Sequence, residues 1–261
     1  MKSKIHLILF FVFCSAVLSG QIDYRVIKVN GSILLKAKGI SLETGTVFKE
    51  NEDLLFRTED ATAAVINSQK GRLVLTSSNH DLSSAKSNYL PSMYNISSRG
   101  ARLLTASDIS NYFSGRIAVF EKQSTQVDNV AFPLDRNNFF FLRYKYNGEE
   151  INKKLPVEGN SFIIEKTNLL TVDGLSIPRA DNTKIKLFYR RGKESVFLSE
   201  FDLIFPDMDQ LTKETEIILG EIKNKSREQK IQEVGSYITE MYGKIPSEDL
   251  SAWLEKRFGV K

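Results

Sequence analysis

Hydrophobic positions along this chain follow three successive rhythms. Leu7 to Leu18 is a dense apolar run without a charge. From Tyr24 to Phe205 the apolar residues come in short groups that alternate with polar ones and are cut by Gly and Asn, the pattern of β-strands. After Pro206 the spacing lengthens to near 3.6, the period of an α-helix. The chain is therefore expected to be mainly β: a small N-terminal β barrel or sandwich, a second antiparallel β-sandwich, and a C-terminal α-helical segment.

The boundaries follow from these changes of rhythm. Residues 1–20 read as a signal peptide, 21–76 as the small β domain, 77–115 as a connector, 116–206 as the antiparallel sandwich and 207–261 as the helices. In the first domain, Tyr24 to Val29 is followed by the hairpin dipeptide Asn30-Gly31, then by Ser32 to Lys38, Leu54-Leu55-Phe56 and Ala63 to Ile66. Lys70-Gly71-Arg72 turns the chain into Leu73 to Leu75. The connector is rich in Ser, Asn and Gly and predicts one short helix near Ala106 to Phe113.

In the second domain, strands are expected at Arg116–Glu121, Phe139–Tyr146, Asn160–Ile164, Lys184–Tyr189 and Val196–Phe205. Asn147-Gly148 and Arg191-Gly192 supply hairpin turns. Phe197, Phe201, Leu203 and Phe205 fall on one face of the last strand if its alternation is regular. On Phe139–Tyr146, alternation puts Phe140, Leu142, Tyr144 and Tyr146 on one face and Phe139, Phe141, Arg143 and Lys145 on the other. Arg143 beside Tyr144 and Tyr146 marks either a platform for a glycan or polyanion, or an ordinary strand with one face in the core and one wet.

Among the helices, Asp209 is a candidate N-cap for a helix carrying Leu211, Ile218, Leu219 and Ile222, and Ile231, Val234, Ile238 and Met241 line a second that stops at Gly243. Pro246-Ser247-Glu248-Asp249 opens a third, with acids where the helix dipole favours them. Leu250, Trp253, Leu254 and Phe258 stand at i, i+3, i+4 and i+8 and form one apolar stripe. That stripe either docks on a partner or packs on its own protein.

Within the first domain the order Val29-Asn30-Gly31-Ser32-Ile33, Leu42 with Gly45, Leu54-Leu55-Phe56-Arg57-Thr58, Ala63-Ala64-Val65 and Gly71-Arg72-Leu73 resembles the FecR-type β domain of bacterial envelope proteins. The resemblance covers about residues 24–76 and implies an envelope β module. The family's regulatory members place this domain beyond a membrane helix and a segment that grasps a sigma factor. Here the expected cleavable signal stands in that place, so the resemblance does not extend to transcriptional signalling.

Composition sharpens the export reading. Lys2 and Lys4, the apolar run and Ser19-Gly20 before Gln21 make the three-part layout of a secretory signal, with cleavage before Gly20 or Gln21. Cys14, the only cysteine, would leave with it; a lipoprotein signal would instead cut before Cys14, but Phe13 stands where such signals carry a small residue. Removal of two lysines from 36 basic residues leaves 34 against 32 acidic. A net charge of +2, with no longer basic run than Lys153-Lys154 or Arg190-Arg191, argues against a nucleic-acid partner. No further segment is long and apolar enough to span a membrane once the signal is gone. The helical region holds 9 basic and 11 acidic residues, which does not favour anionic lipid.

No phosphate loop, nucleophile elbow or metal-ligand spacing occurs. His80, in Asn79-His80-Asp81, reads as a loop histidine. No catalytic residue, cofactor or metal ligand is therefore assigned. A carboxylate hydrolase needs only two acids about 5 to 10 Å apart, and Glu149-Glu150 and Asp207 with Asp209 lie at turn or cap positions.

The expected function is a non-enzymatic exported envelope protein, periplasmic or at the cell surface of a bacterium, serving as subunit or adaptor with other envelope proteins as partners. A glycan-, peptidoglycan- or peptide-binding module is the alternative, and a carboxylate hydrolase the third. Exposed aromatics on a sheet face would favour binding, and an exposed Trp253 stripe would favour assembly.

Overall fold

A computed structural model describes residues 22–80, 102–178, 180 and 183–261. The expected signal, with Cys14, and most of the connector lie outside the described residues. Seven strands form the N-terminal unit: β1 (Asp23–Asn30), β2 (Ile33–Leu35), β3 (Ile40–Ser41), β4 (Val47–Lys49), β5 (Leu54–Phe56), β6 (Thr62–Asn67) and β7 (Gly71–Thr76). They make a four-stranded sheet in the order β4-β1-β6-β7 and a three-stranded sheet β3-β2-β5. Tyr24, Val26, Phe48, Val65 and Leu75 of the first meet Ile33 and Leu35 of the second in one core. The unit is two sheets and no closed barrel. Gly31 makes the β1–β2 turn at φ +75, where a Cβ would collide with Thr58 Oγ1 and sit 3.0 Å from Ala61. Only glycine meets both demands.

The helix α1 (Ala106–Tyr112) stands where the sequence puts it, closed by a Thr105/Asp108 capping box. Ten strands follow: β8 (Arg116–Ala118), β9 (Lys122–Gln126), β10 (Asn138–Tyr146), β11 (Glu149–Lys154), β12 (Val157–Glu158), β13 (Ser161–Glu165), β14 (Thr171–Val172), β15 (Leu175–Ser176), β16 (Lys184–Arg191) and β17 (Glu194–Ile204), with the single turn α2 (Lys166–Leu169) between β13 and β14. The main sheet runs β11-β10-β16-β17-β8, antiparallel except for the parallel β17–β8 pair. The sheet β12-β13-β9 contributes Phe162 and Ile164 to the core that it shares with Phe140, Leu142, Leu187 and Phe201 of the main sheet. Asn147 and Gly148 both take positive φ, 51 and 79, the two-residue turn their identities specify.

Last come α3 (Met208–Glu221), α4 (Arg227–Met241) and α5 (Ser247–Phe258). Asp207, not Asp209, caps α3: its side chain accepts from the Asp209 and Gln210 amides. The reason is geometric, since the capping residue must lie before the first helical amides, and Asp209 is already inside the first turn.

These helices pack on both β units. Ile27, Ala64 and Ile66 of the N-terminal sheet and Ala118 of β8 share one core with Leu211, Ile218, Val234, Ile238, Leu250 and Leu254. Residues Ala63 to Ile66 are consequently buried on both faces of β6. Ile27 enters the helix side at the register shift between Val26 and Lys28 in β1.

Polar ties reinforce the apolar contact. Arg72 on β7 pairs with Glu233, at 2.9 Å, and Glu240 of α4, and Arg25 on β1 with Glu221 of α3 at 3.3 Å. On the other side, Lys244 N donates to Arg116 O and Ala118 N to Lys244 O, both at 2.8 Å. Gly243 precedes this junction at φ +135, and a Cβ there would lie 2.7 Å from the Arg116 carbonyl.

Candidate functional site

The residues singled out from the sequence separate cleanly in space. Leu250 and Leu254 are fully buried in the core formed by the helices and the two β units. Trp253 and Phe258 are half-buried at its margin, where Trp253 lies 4.9 Å from Phe120 and 5.1 Å from Phe258, ring to ring. Leu250 and Leu254 are therefore not partner-docking residues: folding has already removed them from water, and Phe120, next to β8, covers the tryptophan between them.

The ligand assignment divides as well. Tyr144 faces the sandwich core at 3 % exposure, with its hydroxyl donating to Leu169 O. Tyr146 packs, half-buried, against the same core. Both tyrosines share the inner face with Phe140 and Leu142, so neither lies beside Arg143. Arg143 stands on the opposite, solvent-facing side, its Nε donating to Asn152 Oδ1 at 2.8 Å.

That outer face carries an aromatic row the strand alternation only half reveals. Phe141 lies across from Phe188, and Phe188 across from Phe197, with Lys154 opposite Phe141 on the edge strand. The Phe141 and Phe188 rings stack at 5.1 Å and 10°, and Phe197 meets Phe188 edge-on at 5.6 Å. Phe139 adds a ring 6.3 Å from Phe141. Phe197 is 53 % exposed.

Regular alternation would have put Phe197 with Phe201 and Leu203. A β-bulge reverses it: Leu187 pairs with Ser199 but Phe188 with Phe197, leaving Leu198 as the extra residue. The bulge moves Leu198 and Ser199 inward, where Ser199 Oγ bonds Phe113 O, and turns Phe197 out. No periodicity in Val196–Phe205 signals this.

Cations sit over the rings. The Arg143 guanidinium is 4.6 Å from the Phe188 centroid, and Lys154 Nζ is 4.2 Å from that of Phe139. Such contacts hold the cations against the sheet and occupy the ring faces.

Other concavities are less specific. One of about 760 Å³ lies between the N-terminal sheet and α3 and is open and lined by Arg25, Glu43, Lys213 and Glu216. A smaller recess of about 260 Å³ brings Glu248 and Asp249 of α5 near Tyr112 and Thr125. Burial first, and the neighbouring Glu248 second, push the Asp249 carboxyl up to about 6. Burial, with Asp249 next in weight, raises the Tyr112 phenol to about 12. These two acids are consecutive on one helix, so their side chains diverge by about 100° rather than facing each other across a substrate. Glu149 and Glu150 lie exposed on β11, and Asp207 is spent on its cap.

A further group escaped sequence reasoning altogether. Glu214 on α3 is wholly buried, accepting from Lys28 Nζ at 3.2 Å, from Tyr242 Oη at 2.6 Å and from Gln210 Nε2 at 3.1 Å. It fastens the helices to β1. Burial, then the Glu214 carboxylate, hold the Tyr242 phenol well above its ordinary value, so Tyr242 remains the donor.

His80 lies exposed, its ring 5.3 Å from Phe56. No group of three or more metal-ligating side chains occurs among the described residues, and no described helix is long and apolar enough to cross a membrane. No family model, curated protein or solved structure matches the chain.

Proposed function

We propose that this chain is a non-enzymatic exported envelope protein that serves as a binding subunit or adaptor, with the outer face of β11-β10-β16-β17 as its working surface. One observation carries the reading: Phe197 is 53 % exposed beside the half-buried Phe188, with Phe141 sheltered at 7 % behind them, whereas Leu250 and Leu254 of the helical stripe are consumed inside the fold. Exposed aromatic side chains with flanking arginine and lysine are the residue types that anchor protein interfaces. The export layout of residues 1–20 and the FecR-like order of glycine turns in residues 24–76 support an address in the bacterial envelope, periplasmic or at the surface.

Affinity purification from the native envelope, with N-terminal sequencing of the recovered chain, tests this. The expected result is a start at Gly20 or Gln21 and co-purifying envelope protein whose recovery falls when Phe197 is replaced by Ser. Recovery of the chain alone, as a soluble monomer, would overturn it.

A further inference from the structure

The strand registers arrange the outer face into rows. Lys154, Phe141, Phe188 and Phe197 form the aromatic row; Asn152, Arg143, Lys186 and Glu200 form the next; beyond it Lys145 pairs with Glu150 towards one edge of the sheet and Lys184 with Asp202 towards the other. On the opposite flank Phe139 aligns with Arg190 and Ser195. Six cations thus share this surface with three carboxylates. Two of the acids already have partners, Glu150 with Arg143 and Glu200 with Lys186, both at 3.8 Å, and Asp202 accepts from Thr183. Lys145 and Lys184 have no ion partner among the described residues.

We propose that this face docks an extended acidic segment of a partner protein. Apolar side chains of the segment would pack on Phe197 and the open edge of Phe188, with carboxylates over the Arg143–Lys186 row and over Lys145 and Lys184. The inference rests on the binding reading above and names the chemistry of the partner. Charge selects an anion, because unlike charges across an interface both steer association and fix register. A glycan is disfavoured, since Arg143 and Lys154 occupy the faces of Phe188 and Phe139 on which sugar rings would stack. Phe141 is only 7 % exposed, so the accessible part of the row is Phe188 and Phe197 on neighbouring strands about 5 Å apart. An extended chain repeats its side chains on one side about every 6.8 Å, so one or two of them match it.

The test uses the purified chain and a dye-labelled decapeptide in which Glu-Glu alternates with Leu-Leu, so that each side of the extended chain carries both residues, read by fluorescence anisotropy. A Lys-Leu decapeptide, heparin and phosphatidylglycerol vesicles are the comparison probes. The Glu-Leu peptide is expected to bind, weakening about tenfold or more with Phe197→Ser or Lys186→Glu and falling as salt rises, at unchanged thermal stability. Equal binding of both peptides, or binding to heparin or vesicles alone, would overturn it. So would dimerisation of the chain that Phe197→Ser abolishes. A photo-crosslinker placed at Phe197 in native cells separates the two levels. Capture of a segment that is not acidic defeats this inference while leaving the binding reading intact, and absence of any crosslinked protein defeats both.

Discussion

The stripe on α5 and the row on the main sheet both set aromatic rings at regular spacing, yet one is core and the other surface. Leu250 and Leu254 are completely covered, whereas Phe197 keeps half its surface in water. The α5 stripe is flanked by other amphipathic helices, by the apolar helix-side face of the N-terminal sheet and by Ala118 and Phe120 at the β8 edge of the main sheet, so each surface buries the other. The main sheet already has its second layer on the inner side; on its outer one, side chains of the sheet itself shelter Phe141 but leave Phe197 half in water. An aromatic stripe therefore reports a need for cover; whether the chain itself supplies that cover depends on what else is left apolar nearby.

The sharpest way to break this comparison is to truncate one member of each set. Leu254→Ala should cost about 3 kcal/mol in urea unfolding, from lost burial plus the cavity left between α5 and its neighbours. A cost below about 1 kcal/mol would mean that α5 is not core.

Next in size is the buried ion pair that accompanies this core. Lys28→Met leaves the Glu214 charge enclosed without its ammonium and should destabilise by somewhat less, about 2 kcal/mol, because Tyr242 and Gln210 still donate to it. Adding Glu214→Leu should recover most of the loss. A double variant as unstable as the single one would show that the pair is not the source.

A smaller effect should run the other way. Asp249 has a folded pKa of about 6 against an ordinary 3.8, raised chiefly by burial. A raised acid takes up a proton on folding, so its ionisation opposes stability above about pH 6 and ceases to do so as the pH falls towards 4. Asp249→Asn should stabilise by about 1 kcal/mol at neutral pH, allowing for partial solvent screening, and by nothing at about pH 4. Denaturation midpoints of both proteins at the two pH values provide the check; a gain that persists in acid would contradict the sign.

Smallest of all is the sheet row. Phe197→Ser should change stability by no more than about 0.5 kcal/mol, measured by thermal unfolding, since the side chain loses little burial. A loss comparable to that of Leu254→Ala would erase the distinction between the two surfaces.

Legibility varied with how local the determining physics was. Asn147-Gly148, the Thr105/Asp108 box and the α5 start all announce themselves, because a few adjacent residues suffice to set the backbone. The strands Lys122–Gln126 and Glu149–Lys154 did not, because nearly every side chain in them is polar. The first turns Gln123 and Thr125 inward opposite Ile164 and Phe162, and the second is an edge strand with only Ile151 packed on the core. Of the outer face, Arg143 and the half-row Phe139 and Phe141 were visible in the alternation, whereas Phe188 and Phe197 join it only through pairing with other strands. Glu214 gave no signal, since an acid on an amphipathic helix reads as solvated until its neighbours are known.

By itself the sequence determined the mainly β class, the switch to helices after Pro206, the Asn147-Gly148 turn and the two faces of Phe139–Tyr146, because these depend on conformational preferences and periodicities that act over a few residues. Only the tertiary structure decided that the helices clasp both β units, that Tyr144 is core and that the Leu198 bulge turns Phe197 outward. Each of those outcomes depends on which surfaces meet, and pairings between residues far apart in the chain are set by the competition among all its apolar faces for cover.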